Sequence, residues 1–128
     1  TLSSSSAASD VYKRQDVFCS TGELETFCQA VQEAKACGLS VISPRKGGPI
    51  DLIDSSRTGW LYEPGDMTDF RSRVIDLVGD DYKRHAMGIA ARASIENRTW
   101  ENLCAELVEH YKEAIRLAGR STRIRAVL

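Results

Sequence analysis

From residue 16 onward, apolar and polar positions fall into blocks that match, in turn, the lengths and periods of strands and helices. Val17, Phe18 and Cys19 form a short apolar run ended by the polar loop 20–23, which predicts a buried strand. Phe27, Ala30, Val31 and Ala34 then follow the i, i+3, i+4, i+7 rule, predicting a helix whose first turn is residues 26–29 and whose C-terminal cap is Gly38. Val41 and Ile42 predict a second strand. Pro44, Gly47, Gly48 and Pro49 predict a rigid loop, followed by one helical turn over 50–53. Trp60, Leu61 and Tyr62 predict a third strand, closed by the turn at Pro64 and Gly65.

The remainder reads as helical. Asp66 is placed to cap a helix with a buried stripe of Phe70, Val74, Leu77 and Val78, stopped by Gly79. A second helix starts at Asp80 or Asp81 and runs through Tyr82, Met87 and Ala90 to about residue 93. A third starts near Thr99 and carries Trp100, Leu103, Leu107, Val108, Tyr111 and Ile115 on one face, spaced to pack against a large surface. Strands alternating with helices define an α/β class. The expected architecture is a few short parallel strands flanked by helices, an incomplete sheet, with a helical C-terminal part. No internal repeat is visible.

Residues 1–15 stand apart. They begin without Met, run through Ser3, Ser4, Ser5 and Ser6, and show neither period; their wording resembles translated adapter or vector sequence joined to a truncated reading frame. An ordinary disordered tail is the alternative. The expected layout is therefore this segment, a domain over 16–118, and a frayed basic tail over 119–128 containing Arg120, Arg123 and Arg125. Three spaced arginines fall short of a lipid-binding cluster.

Composition narrows the classes. The 128 residues suit a single domain, and 42% hydrophobic with 27% charged residues is the balance of a soluble globular chain. A net charge of -1 gives no field that would draw the chain to nucleic acid. Cys19, Cys28, Cys37 and Cys104 lack metal-site spacing, and neither His85 nor His110 lies near a cysteine pair, so reduced thiols and no metal are expected. No apolar run reaches the ~20 residues of a membrane span.

The candidate chemistry lies at the first predicted helix. Its first-turn N–H groups, on Thr26, Phe27, Cys28 and Gln29, would be unpaired and carry partial positive charge, which suits a diphosphate. Glu25 stands just before them, and Glu33 about 9 Å further along the axis at 1.5 Å per residue. Two carboxylates would thus bracket a bound diphosphate, one toward a sugar and one toward a ribose. Spacing alone would favour a helix-dipole acid at Glu25 and a solvated Glu33.

The wider string changes that balance. Residues 25–42, then Gly47-Gly48-Pro49 with Asp51-Leu52-Ile53, then Thr58-Gly59-Trp60-Leu61-Tyr62 with Pro64-Gly65-Asp66, and finally Trp100-Glu101 before a long helix, resemble in order the large retaining family of two-Rossmann-domain (GT-B) glycosyltransferases. The resemblance covers about residues 16–117 and implies the C-terminal, nucleotide-sugar-binding half of such an enzyme. It implies that Glu25 acts at the donor sugar near the anomeric carbon, that Glu33 binds the ribose hydroxyls, and that the amides of Phe27, Cys28 and Gln29 hold the diphosphate. Many members have Gly where this chain has Cys28, whose backbone N–H can still donate. The wording around Phe27-Cys28-Gln29 and Gly47-Gly48-Pro49-Ile50-Asp51-Leu52 is most similar to GDP-mannose-dependent α-mannosyltransferases that build envelope mannolipids and lipoglycans.

The resemblance therefore implies transfer of a hexose, mannose from GDP-mannose, to a hydroxyl on a lipid or glycan acceptor with retention, and no cofactor besides the donor. The acceptor would be held by an N-terminal half that the chain lacks, so the chain alone is expected to be inactive. The whole enzyme would work in the cytoplasm, with peripheral contact at the inner face of the membrane. A nucleotide-sugar epimerase of the same architecture and a non-catalytic binding remnant are the alternatives. Gly47 and Gly48 read equally as turn residues or as points of ligand approach. Lys35, Arg45 and Lys46 could assist phosphate binding or be solvated, and Trp60 and Trp100 read as packing residues.

Overall fold

The sheet is built on its middle strand. In the computed structural model, which describes residues 10–120, β1 (Val17–Cys19), β2 (Ser40–Pro44) and β3 (Gly59–Tyr62) pair in parallel in that order. Val17 lies opposite Ser40 and Val41 opposite Gly59. All three strands run the same way, so their carboxyl ends open on one edge. The helices are α1 (Gln29–Ala36), α2 (Pro49–Leu52), α3 (Met67–Val78), α4 (Asp81–Ala93) and α5 (Trp100–Arg120).

Strand side chains point alternately to opposite faces, and this splits the core in two. One cluster joins Cys28, Val31 and Ala34, at and within α1, to Leu39, Val41, Ile53 and Leu61. The other joins Ile42 and Tyr62 to Leu77 of α3 and Met87 of α4, with Val17, Trp60, Phe70 and Val74 packed around them. Helices thus cover both faces of a parallel sheet, as the alternating pattern required. Asp66 caps α3 by accepting from the N–H groups of Thr68 and Asp69, and Asp80 caps α4 by accepting from Lys83 N–H. Leu39 N–H reaches back to Ala34 O at 3.1 Å where α1 ends.

Three expectations shift in detail. The buried face of α1 is Val31, Ala34 and Lys35, with Cys28 just before it; Ala30 is exposed and Phe27 is 56% exposed. Val31 and Ala34 are thus buried as the spacing required, while Phe27, which lies ahead of the helix, and Ala30 are not. Val78, placed in the buried stripe of α3, is 63% exposed, while its neighbour Leu77 is fully buried: Val78 lies one residue further round the helix and falls outside the face that meets the sheet. Within the segment 1–15, residues 10–12 form a helical turn, and Tyr12 packs on Phe18 with ring centroids 5.9 Å apart. Residues 1–9 lie outside the described residues.

Residues Asn97–Leu128 form a second unit, represented by α5. Thr99 caps it through Oγ1, which accepts from Asn102 N–H at 3.2 Å. Trp100, Leu103, Leu107, Val108, Tyr111 and Ile115 follow helical spacing along it. Arg120 ends the helix; Arg123 and Arg125 lie outside the described residues.

A polar cluster ties β3 to α3 and α4. Trp60 Nε1 donates to Asp76 Oδ2 at 2.9 Å, Lys83 Nζ donates to Asp76 Oδ1 at 2.6 Å, and the Arg73 guanidinium stacks 4.4 Å from the Trp60 ring centroid. The Lys83 hydrogen bond, helped by Trp60, holds the Asp76 carboxyl below its ordinary range. A depressed folded-state pKa adds stability above the unfolded pKa and loses it as pH falls through the folded one. Asp76→Asn is expected to lower the melting temperature at neutral pH, with the gap to the parent closing below about pH 4, as differential scanning fluorimetry across pH would show. Leu77, fully buried between α3 and the sheet, is expected to cost about 2–5 kcal/mol as Leu77→Ala, measured by urea unfolding.

Candidate functional site

Loops leaving the carboxyl ends of parallel strands line the edge where α/β sheets hold ligands. Here the loop from β1 leads through Glu25 into α1, and the loop from β2 carries Lys46, Gly47 and Gly48 beside it. The geometry corrects the expected first turn. Thr26 and Phe27 form a bend ahead of the helix, and Cys28 is the N-cap in the left-handed region, φ 52° and ψ 50°. A residue in that conformation cannot belong to a right-handed turn, so α1 starts at Gln29. The first N–H to bond within the helix is that of Gln32, to Cys28 O at 3.1 Å, and no side chain caps the N-terminus. The unpaired amides at the positive end of α1 are accordingly those of Cys28, Gln29, Ala30 and Val31. Phe27 lies ahead of the N-cap, outside the helix.

The left-handed N-cap also accounts for the departure at Cys28. Gly enters that region without the steric cost a side chain meets, which is why Gly would be easy there. Cys28 instead turns its side chain inward, 2% exposed in the first core cluster. Burial, and then the nearby Glu25 charge, push its thiol pKa up. The thiol therefore stays neutral and adds no negative charge beside the unpaired amides.

Glu25 is exposed in the loop, and its backbone carbonyl accepts from Gly48 N–H at 2.9 Å. Glu33 lies one turn into α1 and is half-buried; its carboxylate accepts from Tyr12 Oη at 3.2 Å and from Gln29 Nε2 at 3.3 Å. Burial first, and then this bond to Glu33, raise the Tyr12 pKa. Tyr12 belongs to the segment that periodicity set apart, so no helix pattern could have shown this contact.

The three candidate cations separate. Lys35 is 2% exposed and its Nζ donates to the backbone carbonyl of Leu52, at the end of α2. That burial removes it from the phosphate edge. Lys46 pairs with Glu23 at 3.2 Å, tying the two loops together. Arg45 is exposed at the mouth of the second loop. Gln32, passed over in the sequence, donates from Nε2 to Phe27 O at 2.8 Å and so braces the bend before the helix. His85 Nδ1 lies 2.7 Å from Asp81 O on α4, and His110 Nε2 lies 3.7 Å from Glu106 on α5. Both serve their own helices. Among the described residues no three His, Cys, Asp or Glu side chains converge as metal ligands, and no helix is long and apolar enough to cross a membrane.

Solved structures place this fold. Anabaena HepE in complex with UDP superimposes with a TM-score of 0.73 at 21% identity, over 80% of this chain and 29% of that one. Sucrose-phosphate synthase from Thermosynechococcus elongatus gives 0.72 at 22% identity, over 84% and 27%. The domain is thus Rossmann-like, of the GT-B glycosyltransferase type. The chain belongs to the family "Glycosyl transferases group 1", whose profile matches residues 2–94. It is similar to the GDP-mannose-dependent alpha-mannosyltransferases of Mycobacterium tuberculosis, 47% identical over 88% of this chain and 29% of the relative, and of Corynebacterium glutamicum, 41% identical over 85% and 26%. The chain therefore spans between a quarter and a third of the length of these relatives.

Cys28 offers a direct test of the local geometry. In Cys28→Gly, relief of left-handed strain and loss of a small buried side chain are each about 1 kcal/mol and oppose one another, so stability should stay within about 1 kcal/mol of the parent. Cys28→Val puts a branched side chain into the same conformation against Gly48 and should cost more than about 2 kcal/mol. Urea unfolding midpoints of the two variants distinguish these outcomes.

Proposed function

We propose that this chain is the donor-binding piece of a retaining hexosyltransferase that moves mannose from GDP-mannose to a hydroxyl of a lipid or glycan acceptor. The observation that carries the reading is the 41–47% identity, over most of the chain, to GDP-mannose-dependent alpha-mannosyltransferases. The unpaired amides of α1 supply the matching chemistry. In this reading the diphosphate sits at the helix N-terminus and accepts from the N–H groups of Cys28, Gln29 and Ala30, so no lysine is needed to hold it. Thr26 and Phe27 form the bend that leads into these amides.

Glu25, one residue ahead of that bend, takes the donor-sugar hydroxyls near the anomeric carbon. Glu33, oriented by Gln29, takes the ribose hydroxyls. Leaving-group charge would develop on the diphosphate, where the helix N-terminus is already oriented to stabilise it; such preorganised donors are commonly the largest catalytic term. The acceptor, and any contact with a membrane surface, belong to parts of the whole enzyme beyond this chain. The named relatives are transferases, which leaves the epimerase reading without support.

Titration of the 15N-labelled chain with GDP is expected to move the amide signals of Cys28, Gln29 and Ala30 in a saturable way. Glu33→Ala should weaken that binding by about fivefold or more, the worth of a charge-assisted hydrogen bond. Binding indifferent to Glu33→Ala would point to a non-catalytic remnant, and the absence of any response at the three amides would sink the donor-site reading.

A further inference from the structure

The segment from Glu25 to Cys28 is neither helix nor strand, yet it must hold the sugar-facing carboxylate at a fixed angle to α1. What braces it comes chiefly from the neighbouring loop. Gly48 N–H donates to Glu25 O at 2.9 Å. A Cβ built on Gly47, where φ is +65°, would stand 2.6 Å from Glu25 O; one built on Gly48 would stand 2.2 Å from Thr26 O and 3.0 Å from Cys28 Sγ. Real Cβ atoms essentially never come within 3.0 Å of another heavy atom, so only glycine lets the two backbones lie this close. The side of each glycine where a side chain would project is turned toward residues 25–26, and the Gly48 amide is already spent on Glu25. That orientation removes Gly48 as a donor to a ligand phosphate.

We infer that Gly47 and Gly48 are positioning residues for the sugar end of the donor site: their backbone lies against Glu25 and Thr26 and sets the direction of the Glu25 carboxylate. The inference rests on the donor-site reading above. It differs from a turn requirement, which only Gly47 would satisfy through its positive φ, and from direct ligand contact. It also explains why two adjacent glycines are needed where one would make the turn.

The test compares GDP with GDP-mannose as probes, by amide-shift titration of the full 128-residue chain. The parent is expected to bind GDP-mannose about fivefold more tightly than GDP, the increment of one carboxylate–hydroxyl hydrogen bond. In Gly48→Ala this increment should fall below about twofold, while affinity for GDP itself stays within about twofold, since the added methyl meets Thr26 O and the Cys28 side chain and leaves the N–H groups of Gln29 and Ala30 in place. Glu25→Gln should lose the same increment, and Gly48→Ala combined with Glu25→Gln should lose no more, because the glycine acts through Glu25.

A Gly48→Ala chain that keeps the sugar increment, or that loses both affinities equally, overturns the inference. If Gly48→Ala does not fold, Gly47→Ala, whose Cβ strikes Glu25 O itself, decides by the same readout. Unfolding of both variants overturns it too, since the glycines would then serve folding alone. A parent that binds GDP without any sugar increment overturns the positioning role and leaves the diphosphate reading standing. A parent silent to GDP at Cys28, Gln29 and Ala30 overturns the donor-site reading and this inference together.

Discussion

The demand that β2 be covered on both faces and paired on both edges organises everything else. All five of its residues are buried, and Val41 and Ile42, each at 0% exposure, point to opposite clusters. Such a strand cannot exist without α1 and α2 on one side and α3 and α4 on the other. Its direction has a second effect. Where β2 ends at Pro44 the chain must turn out of the sheet, and the loop it enters lands on the loop leaving β1. The backbone contact between Gly47-Gly48 and residues 25–26 is thus a consequence of two parallel strands delivering their loops to one edge.

Charge is arranged economically at that edge. Lys35 is drawn into the interior by the Leu52 carbonyl and Lys46 is paired with Glu23, so the positive end of α1 and the exposed Arg45 are left as the features that would attract an anion. The Cys28 thiol, kept protonated by burial and by Glu25, does not oppose it. On the far side of the sheet the charges do a different task. Asp76 gathers Trp60 and Lys83, and Asp69 holds Arg73 at 3.0 Å while also accepting from Glu63 N–H. Those contacts fasten α3 and α4 to β3 and have no part in the proposed site.

Much of this was legible in the order of residues. Short apolar runs, each followed by a helical period, left little choice but a parallel sheet with helices on both faces, and Asp66 and Asp80 marked their helix starts by the ordinary chemistry of capping. The start of α1 was not legible. Phe27, Ala30, Val31 and Ala34 make a convincing stripe, but periodicity cannot register that Cys28 would adopt a left-handed conformation or that Phe27 would face outward. Val78 failed for a similar reason, since a stripe does not say how wide a face of the helix the sheet will cover, and Leu77 is buried where Val78 is not. The fate of Lys35 was equally hidden, because its partner is a backbone carbonyl seventeen residues away.

The sequence by itself therefore determined the class of fold and the order of its elements, because these are written in local spacing and residue type; Glu25 and Glu33 stood out only through the ordered set of motifs around them. Only the tertiary structure decided where α1 begins, that Lys35 is buried and Lys46 paired, and how closely the two glycines lie against residues 25–26. Those depend on how close one backbone comes to another, and that distance is set by packing between segments twenty residues apart, which no local pattern encodes.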